Sequence, residues 1–219
     1  MVQSFNIEAI KCLKHVFFNR SLIIPHLEVR DIRHINFQSL RDSGFKGVLF
    51  DKDNTLTEPY KNEIYQEYKE SLDKCLEIFG KDNVVIISNS AGSSDDAPNF
   101  EKANQIEKLL GIKVLKHNTK KPDGIDSVKN HFKTDPKNLI MVGDRYLTDI
   151  LFGNLYGMFT IYTQPITSVG DNFFVKLIRN KERQIVLCLK NYFKINAPKN
   201  LLCNGGFEKN NIVEDQKNK

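Results

Sequence analysis

Two aspartates, Asp51 and Asp53, stand at the end of an apolar run over residues 46–51 that is typical of a buried strand. An aspartate beside a divalent cation can attack phosphorus and form an aspartyl-phosphate. A second carboxylate close by can protonate the leaving alkoxide and then deprotonate water. The pair therefore predicts phosphoryl-transfer chemistry, with Asp51 as the nucleophile and Asp53 as the general acid and base.

A third aspartate, Asp144, follows another apolar run and supplies a further carboxylate. Mg²⁺ prefers hard oxygen ligands, so the predicted magnesium site consists of Asp51, Asp53 and Asp144. Asp149 lies five residues further on, where it is expected to hydrogen-bond to the groups that surround the metal. Taken alone, Asp144 also fits an ordinary helix N-cap.

Ser88, Asn89 and Lys121 are the candidate phosphate-binding residues. Ser88 and Asn89 end a β-branched run, and Lys121 precedes a predicted helix. In phosphoryl transfer, negative charge spreads over three phosphoryl oxygens, and a hydroxyl, an amide and an ammonium group can bind and neutralise them. Each residue alone fits ordinary turn chemistry or a solvated surface. Their order along the chain, each at the end of a predicted element, favours the functional interpretation.

The elements that position these residues alternate along the chain. Strands are predicted at 46–51, 84–88, 112–115, 138–144 and 158–163, and helices at 63–79, 100–110, 123–132 and 145–156. This alternation predicts an α/β protein with a doubly wound, mostly parallel sheet of the Rossmann-like type, covered on both faces. Ligands of such sheets bind outside the carboxyl ends of the strands, so the candidate residues are expected to meet in one crevice.

The order of the motifs resembles the haloacid dehalogenase superfamily. D-x-D-x-T occupies 51–55, serine stands at 88, Lys-Pro at 121–122 and G-D-x4-D at 143–149. Within that superfamily, the second aspartate of the first motif is typical of phosphatases. The resemblance therefore implies a Mg²⁺-dependent phosphatase.

The intervals between these motifs leave no room for a cap domain. Only 34 residues separate Asp53 from Ser88, and 32 separate Ser88 from Lys121. The helix and strand that the sheet requires use each interval, and fewer than about 40 residues seldom fold independently. The predicted site is open, which suits a phosphate presented by a lipid headgroup, a protein or a nucleic-acid end.

Four stretches make the resemblance more specific: FDKDNTLTEPY, ISNSAG, HNTKKPDG and VGDRYLTDILFGNLYGM. They are similar to the organellar phosphatidylglycerophosphate phosphatases of fungi and plants, a capless family. The resemblance implies a phospholipid substrate, which loses its terminal phosphate on the way to cardiolipin. It also implies a peripheral location on the matrix side of the mitochondrial inner membrane, with a plastid as the alternative.

The sequence predicts four regions along the chain, one of which is the phosphatase core. They are an N-terminal helix and lead-in (1–45), the capless phosphatase core (46–170), a basic amphipathic helical segment (171–195) and a disordered tail (196–219). The basic segment has six Lys and Arg residues against Glu182 alone over 172–194. Such a helix can lie on an anionic membrane surface, or it can pack on the core with a solvated basic rim.

Composition limits the other possibilities. The chain has 219 residues, a net charge of +5, no apolar run of transmembrane length and four cysteines without a CxxC pair. No stacking platform accompanies the basic residues, so nucleic acid is not expected as a partner; a homo-oligomer is possible. Two rivals remain open: a capless phosphatase acting on phosphoprotein or nucleic-acid ends, and a non-catalytic membrane-bound interaction module.

Overall fold

The structure, a computed structural model, describes residues 14–117, 119–167 and 173–203. Its six strands form one parallel sheet in the order β1-β6-β5-β2-β3-β4. The strands are β1 (Leu27–Val29), β2 (Gly47–Phe50), β3 (Val84–Ile86), β4 (Lys113–Val114), β5 (Leu139–Gly143) and β6 (Phe159–Thr163). The α-helices with described bounds are α1 (Phe37–Asp42), α2 (Lys69–Phe79), α3 (Glu101–Leu110), α4 (Ile125–Phe132), α5 (Leu151–Leu155) and α6 (Phe173–Asn191).

The direction in which the strands are added reverses at β2. From β2 the chain adds β3 and β4 on one side and then returns to place β5 and β6 on the other. The backbone N–H of Asp51, just past β2, donates to the carbonyl of Val142 in β5 (2.9 Å), which holds these two strand ends together. A crevice forms at such a reversal, outside the carboxyl ends of the strands, and ligands bind there.

Alternate residues of each central strand pack on opposite faces of the sheet, because side chains of a strand point alternately up and down. In β2, Val48 and Phe50 join the core formed with α1, α2 and α3, whereas Leu49 joins the core formed with α4 and α5. All four residues of the strand are buried. The central strands are therefore covered on both faces, which explains their near-continuous apolar sequence.

The predicted α/β fold is confirmed, and the described sheet is entirely parallel. The five predicted strands are present with slightly shorter bounds, whereas the edge strand β1 was not predicted. The helix expected over 63–79 starts as a 3₁₀ turn at Gln66–Tyr68 before α2. The helix expected over 145–156 is a π-helical turn, Tyr146–Ile150, followed by α5.

Neither interval between the motifs contains a cap in the described residues. Between Asp53 and Ser88 lie the 3₁₀ turn, α2, a second 3₁₀ turn at Lys81–Asn83 and β3. Between Ser88 and Lys121 lie α3 and β4, with residue 118 outside the described ranges. The sheet and its helices account for these elements, so the crevice stays open.

Helix α6 lies within the predicted basic segment and packs on the body through a third apolar cluster. Val186 and Leu189 are buried there against Ile23, Ile150 and Tyr146. None of the helices in the described part of the chain is both long and apolar enough to cross a bilayer.

The predictions for the two termini fall largely on residues that the structure does not describe. Residues 14–18 are helical, but 1–13 of the predicted N-terminal helix lie outside the described residues, as do 204–219 of the predicted disordered tail. Asn200, from the start of that tail, is buried and donates to the carbonyls of Lys137 and Gly157, each at 3.0 Å. The division into four regions stays a prediction.

Candidate active site

A crevice of about 240 Å³ opens at the carboxyl ends of β2, β3 and β5, next to the reversal of strand order. All the sequence-predicted site residues line it, and they are Asp51, Asp53, Ser88, Asn89, Lys121, Asp144 and Asp149. The structure thus brings together residues that are almost 100 positions apart in the sequence. Several further side chains join them, namely Asn54, Tyr60, Ser90, Arg145, Thr148 and Arg179.

Lys121 lies at the centre of the crevice. Its ammonium group donates to Asp51 Oδ1 at 2.7 Å, to Asp149 Oδ1 at 2.6 Å and to the Ile87 carbonyl at 2.9 Å. The side chain is buried, and burial alone would lower the pKa of Lys121, but the carboxylates of Asp149 and Asp51 raise it. Lys121 therefore stays charged and offsets the negative charge beside the candidate nucleophile.

The close approach of Asp149 depends on Gly143 and on the π-helical turn. A Cβ atom added at Gly143 would lie 2.4–2.5 Å from side-chain atoms of Asp149. Only glycine, which has no Cβ atom, fits at this position without a clash. The backbone N–H of Arg145 donates to Asp149 Oδ2 at 3.1 Å, at the start of the Tyr146–Ile150 turn. π-helical turns are rare in proteins overall, but those that occur are often found at functional sites. Here the turn directs a buried carboxylate into the crevice.

Three carboxylates form a group that could hold a metal ion. One oxygen each from Asp51, Asp144 and Asp149 lies within 4.8 Å of the other two. Asp144 Oδ1 is buried and has no hydrogen-bond partner among the described residues. A hard cation such as Mg²⁺ would satisfy this oxygen and offset the clustered negative charge. The side chain of Asp53 lies outside this group, whereas Asp149 lies within it.

Burial governs the protonation of two of these carboxyl groups. Burial raises the pKa of Asp51 to about 7, although Lys121 opposes the shift, and Asp149 and Asp144 add to it. Burial likewise raises the pKa of Asp144 to about 6, with Arg179 as the main opposing influence. A cation bound among them would favour the ionised forms and lower both pKa values.

Asp53 is held at the rim of the crevice by three donors. Lys52 Nζ lies 2.6 Å from Asp53 Oδ1, the Tyr60 N–H donates to the same oxygen at 3.0 Å, and Ser90 Oγ donates to Oδ2 at 2.8 Å. Lys52 is buried and also donates to the Lys61 carbonyl at 2.8 Å. These contacts fix the orientation of a carboxylate that remains partly exposed.

The predicted phosphate-binding residues lie on two loops that are joined by a hydrogen bond. Asn89 Oδ1 accepts a hydrogen bond from the backbone N–H of Lys121 at 2.8 Å, which joins the loop after β3 to the loop after β4. Ser88 Oγ lies 3.0 Å from Ser90 Oγ and accepts from the Ser90 N–H at 3.2 Å. His117 supports the loop from below, since its Nε2 lies 3.1 Å from the Ser88 carbonyl.

Sequence reasoning missed three side chains that contact the predicted ones: Lys52, Ser90 and Arg179. The sequence could have indicated the first two, because Lys52 lies between the two aspartates and Ser90 is two residues from Ser88. Arg179 comes from α6, and its guanidinium forms an ion pair with Asp144 Oδ2. It is 35 residues from Asp144, and no local pattern links the two.

Comparison with known proteins agrees with this geometry. A family model described as mitochondrial PGP phosphatase matches residues 7–167. A chloroplastic phosphatidylglycerophosphate phosphatase of Chlamydomonas reinhardtii is 44% identical over 182 residues, covering 82% of this chain and 67% of the relative. A chloroplastic/mitochondrial phosphatidylglycerophosphate phosphatase of Arabidopsis thaliana is 41% identical over 182 residues, covering 82% and 52%.

A mitochondrial phosphatidylglycerophosphatase of Saccharomyces cerevisiae is 32% identical over 162 residues, which cover 72% of this chain and 86% of the yeast protein. The chain thus spans about half of the Arabidopsis relative and about two thirds of the Chlamydomonas one. The family match covers most of the chain and includes every predicted site residue. The resemblance that the motifs indicate is confirmed, and the chain belongs to the family of mitochondrial PGP phosphatases.

Proposed function

We propose that this chain is a Mg²⁺-dependent phosphatase that removes the terminal phosphate of phosphatidylglycerophosphate and leaves phosphatidylglycerol. The observation that carries the proposal is the pairing of Asp51 with Lys121 Nζ at 2.7 Å, in the same crevice as Asp144 and Asp149. This set combines a nucleophile, a fixed cation and metal-binding carboxylates. The names of the relatives supply the substrate.

In the first step, a carboxylate oxygen of Asp51 attacks phosphorus and the bond from phosphorus to the glycerol oxygen breaks. Asp53, oriented by Lys52 and Ser90, donates its proton to the leaving alkoxide. In the second step, Asp53 takes a proton from water as the water oxygen attacks phosphorus. Inorganic phosphate leaves, and Asp51 is regenerated.

The remaining residues position the transferring group and offset its charge. Lys121, Ser88 and Asn89 are proposed to contact the phosphoryl oxygens or to fix the loops that do so. Asp51 and Asp144 would hold Mg²⁺, which would supply positive charge beside the transferring phosphate. The metal contact of Asp53 stays a prediction, because its side chain lies outside this group of carboxylates. Asp149 is proposed to support this site from behind, although its carboxylate is close enough to act as a direct ligand.

An open crevice favours a substrate that is held by a surface. A small ester has few remote contacts in a site without a cap, so it draws little binding energy from the protein. A phospholipid stays anchored by its acyl chains in the bilayer while its terminal phosphate enters the crevice. The relatives' names place those proteins in mitochondria and chloroplasts, so we propose the matrix face of the mitochondrial inner membrane, or the corresponding plastid membrane, for this chain.

Helix α6 is the proposed contact with anionic lipid. Leu177, Ile185 and Leu187 are more than 40% exposed on it, and the basic residues Lys181 and Arg183 are exposed beside them. Apolar side chains next to cationic ones are typical of helices that lie at a membrane interface. The same helix packs on the body through Val186 and Leu189, so both expectations for the basic segment find support in one element.

The proposal is tested by comparing three substrates with Mg²⁺ and with EDTA: phosphatidylglycerophosphate, phosphatidic acid and glycerol 3-phosphate. We expect kcat/KM for glycerol 3-phosphate to be lower by at least about two orders of magnitude, because it lacks the acyl anchor. Phosphatidic acid should also react poorly, since its phosphate lies closer to the membrane plane. Comparable rates on all three substrates would reject the lipid assignment and leave a phosphatase of other substrates, such as phosphoprotein.

The nucleophile is tested by Asp51→Asn, which should lower kcat by at least about three orders of magnitude because the amide cannot form the acyl-phosphate. Circular dichroism shows whether the variant is folded. A variant that keeps a tenth of the wild-type rate would exclude Asp51 as the nucleophile.

Full wild-type activity in EDTA would exclude the magnesium mechanism, and inactivity on every phosphomonoester would favour the non-catalytic module.

A further inference from the structure

A second cavity, of about 280 Å³, opens directly beside the active-site crevice and shares Asp144 and Arg179 with it. Tyr146 and Tyr162 line one side, stacked with ring centroids 4.1 Å apart and 8° between the ring planes. Helix α6 lines the other side. The crevice and the cavity therefore adjoin at the Arg179–Asp144 ion pair, which lines both of them.

Three basic residues of α6 face this cavity: Lys176, Arg179 and Arg183. They are spaced by three and four residues, which places them on one face of the helix. Arg179 is engaged by Asp144. Neither Lys176 nor Arg183 has an ion-pair partner among the described residues. The cavity therefore has two cationic groups available to an anion.

The two carboxylates that line the cavity do not cancel this charge. Asp144 pairs with Arg179, and Glu182 is buried with its Oε1 3.5 Å from Arg145 Nη2. Each acidic side chain thus has a cation of its own. The positive charge of the other two basic residues remains directed at the space between α6 and the tyrosine pair.

We infer that this cavity binds the second phosphate group of the substrate, the phosphodiester that joins the glycerol phosphate to diacylglycerol. The inference rests on the proposed function, because it names a further contact of the same substrate. A phosphodiester is an anion at neutral pH, and arginine and lysine are the side chains that best bind phosphate oxygens. One glycerol unit links the two phosphates, so their binding sites must adjoin, as the crevice and the cavity do.

This contact gives the site a way to select its substrate. Simple phosphomonoesters, including phosphatidic acid, have no second phosphate and would leave Lys176 and Arg183 without a ligand. The selection would not depend on the acyl chains, because the cavity recognises the headgroup itself. It can therefore be measured on water-soluble compounds, separately from any membrane contact.

The test compares deacylated phosphatidylglycerophosphate, which keeps both phosphates, with glycerol 3-phosphate, which has one. The double variant Lys176→Gln/Arg183→Gln should lower the ratio of kcat/KM between the two substrates by at least about tenfold. Lys129→Gln, at an exposed position of α4 that lines neither the cavity nor the crevice, is the control and should keep the wild-type ratio. An unchanged ratio in the double variant, or an equal loss on both substrates, would overturn the inference.

A binding measurement separates this inference from the proposed catalysis. Calorimetry on the Asp51→Asn protein with Mg²⁺ should show tighter binding of deacylated phosphatidylglycerophosphate than of glycerol 3-phosphate. Adding Lys176→Gln/Arg183→Gln should remove the difference in affinity. Equal affinities in the protein without these two substitutions would overturn the cavity assignment even if hydrolysis is observed. Selective binding without hydrolysis by the wild type would reject the proposed function and retain the cavity.

Discussion

The two sides of the active-site crevice differ in how their charges are held. On one side, Lys121 lies between Asp51 and Asp149, and all three groups come from strand ends or from the loops and turn that follow them. On the other side, Asp144 is paired with Arg179, which comes from a helix outside the parallel core. The first arrangement is fixed by the sheet, whereas the second depends on how α6 packs. We therefore expect substitutions on the first side to have the larger effects.

The largest effect is expected for Lys121→Met, which leaves the carboxyl groups of Asp51 and Asp149 buried without their cation. Removing one partner of a buried ion pair costs about 3–5 kcal/mol of the free energy of unfolding. Urea unfolding measures this loss. Lys120→Met is the matched control, because its ammonium pairs with the exposed Asp95 and should contribute less than about 1 kcal/mol. Similar losses in both variants would contradict the comparison.

A smaller effect is expected for Arg179→Gln on the α6 side. Without Mg²⁺, this change removes the ion-pair partner of the buried Asp144, and it should cost about 1–3 kcal/mol. Saturating Mg²⁺ should restore most of the loss, because the ion takes the place of the guanidinium beside Asp144. Thermal unfolding with and without Mg²⁺ measures both quantities. The same loss under both conditions would show that Asp144 does not bind the ion.

The pH dependence of Mg²⁺ binding tests both sides together. The pKa values of Asp51 (about 7) and Asp144 (about 6) are raised by burial, so the folded, metal-free protein binds more protons than the unfolded chain between about pH 4 and 7. These two groups therefore stabilise the metal-free protein as the pH falls through that window. Mg²⁺ must displace the same protons.

The affinity for Mg²⁺ should consequently fall by about tenfold or more per pH unit below pH 6 and level off above about pH 8. Calorimetric titrations at several pH values measure it. Asp51→Asn removes one of the two carboxyl groups that must lose a proton. The affinity for Mg²⁺ should then depend less steeply on pH between pH 6 and 7. An affinity that is flat from pH 5.5 to 8 would contradict the raised pKa values.

The smallest effect concerns the outer face of α6 and the residues just after it. Lys181→Gln/Lys194→Gln should weaken pelleting with phosphatidylglycerol-rich liposomes by about 1 kcal/mol per charge, and more at low salt. Hydrolysis of glycerol 3-phosphate is the control, and it should not change because neither residue lines the crevice. Equal pelleting by the variant and the wild type would mean that α6 serves the crevice alone.

The sequence predicts that residues at the strand ends meet in one crevice, and in the structure they do, but it does not indicate the contribution of α6. Asp51, Ser88 and Asp144 follow apolar runs directly, and in a parallel sheet such positions meet at one edge. The position of Arg179 depends instead on the packing of Val186 and Leu189, and helical periodicity alone does not determine where a helix docks. For the same reason the sequence could not reveal the cavity between α6 and the tyrosine pair.

Local geometry explains the other differences. Edge strand β1 has only three residues, Leu27–Val29, too few for an alternating pattern to stand out. The indirect role of Asp149 stays a prediction, and the π-helical turn and the space left by Gly143 bring one of its carboxylate oxygens within 4.8 Å of oxygens of Asp51 and Asp144. A 3.6-residue periodicity does not predict a π-helical turn.

The two outer strands of the sheet have a consequence for self-association. β1 has three residues, with Glu28 at its centre paired to Lys190 of α6 at 3.0 Å, and β4 has two residues, of which Lys113 is exposed. Very short outer strands that carry charged side chains give little backbone for another chain to pair with. Within the described residues, the two outer strands therefore offer a second copy little backbone with which to extend the sheet.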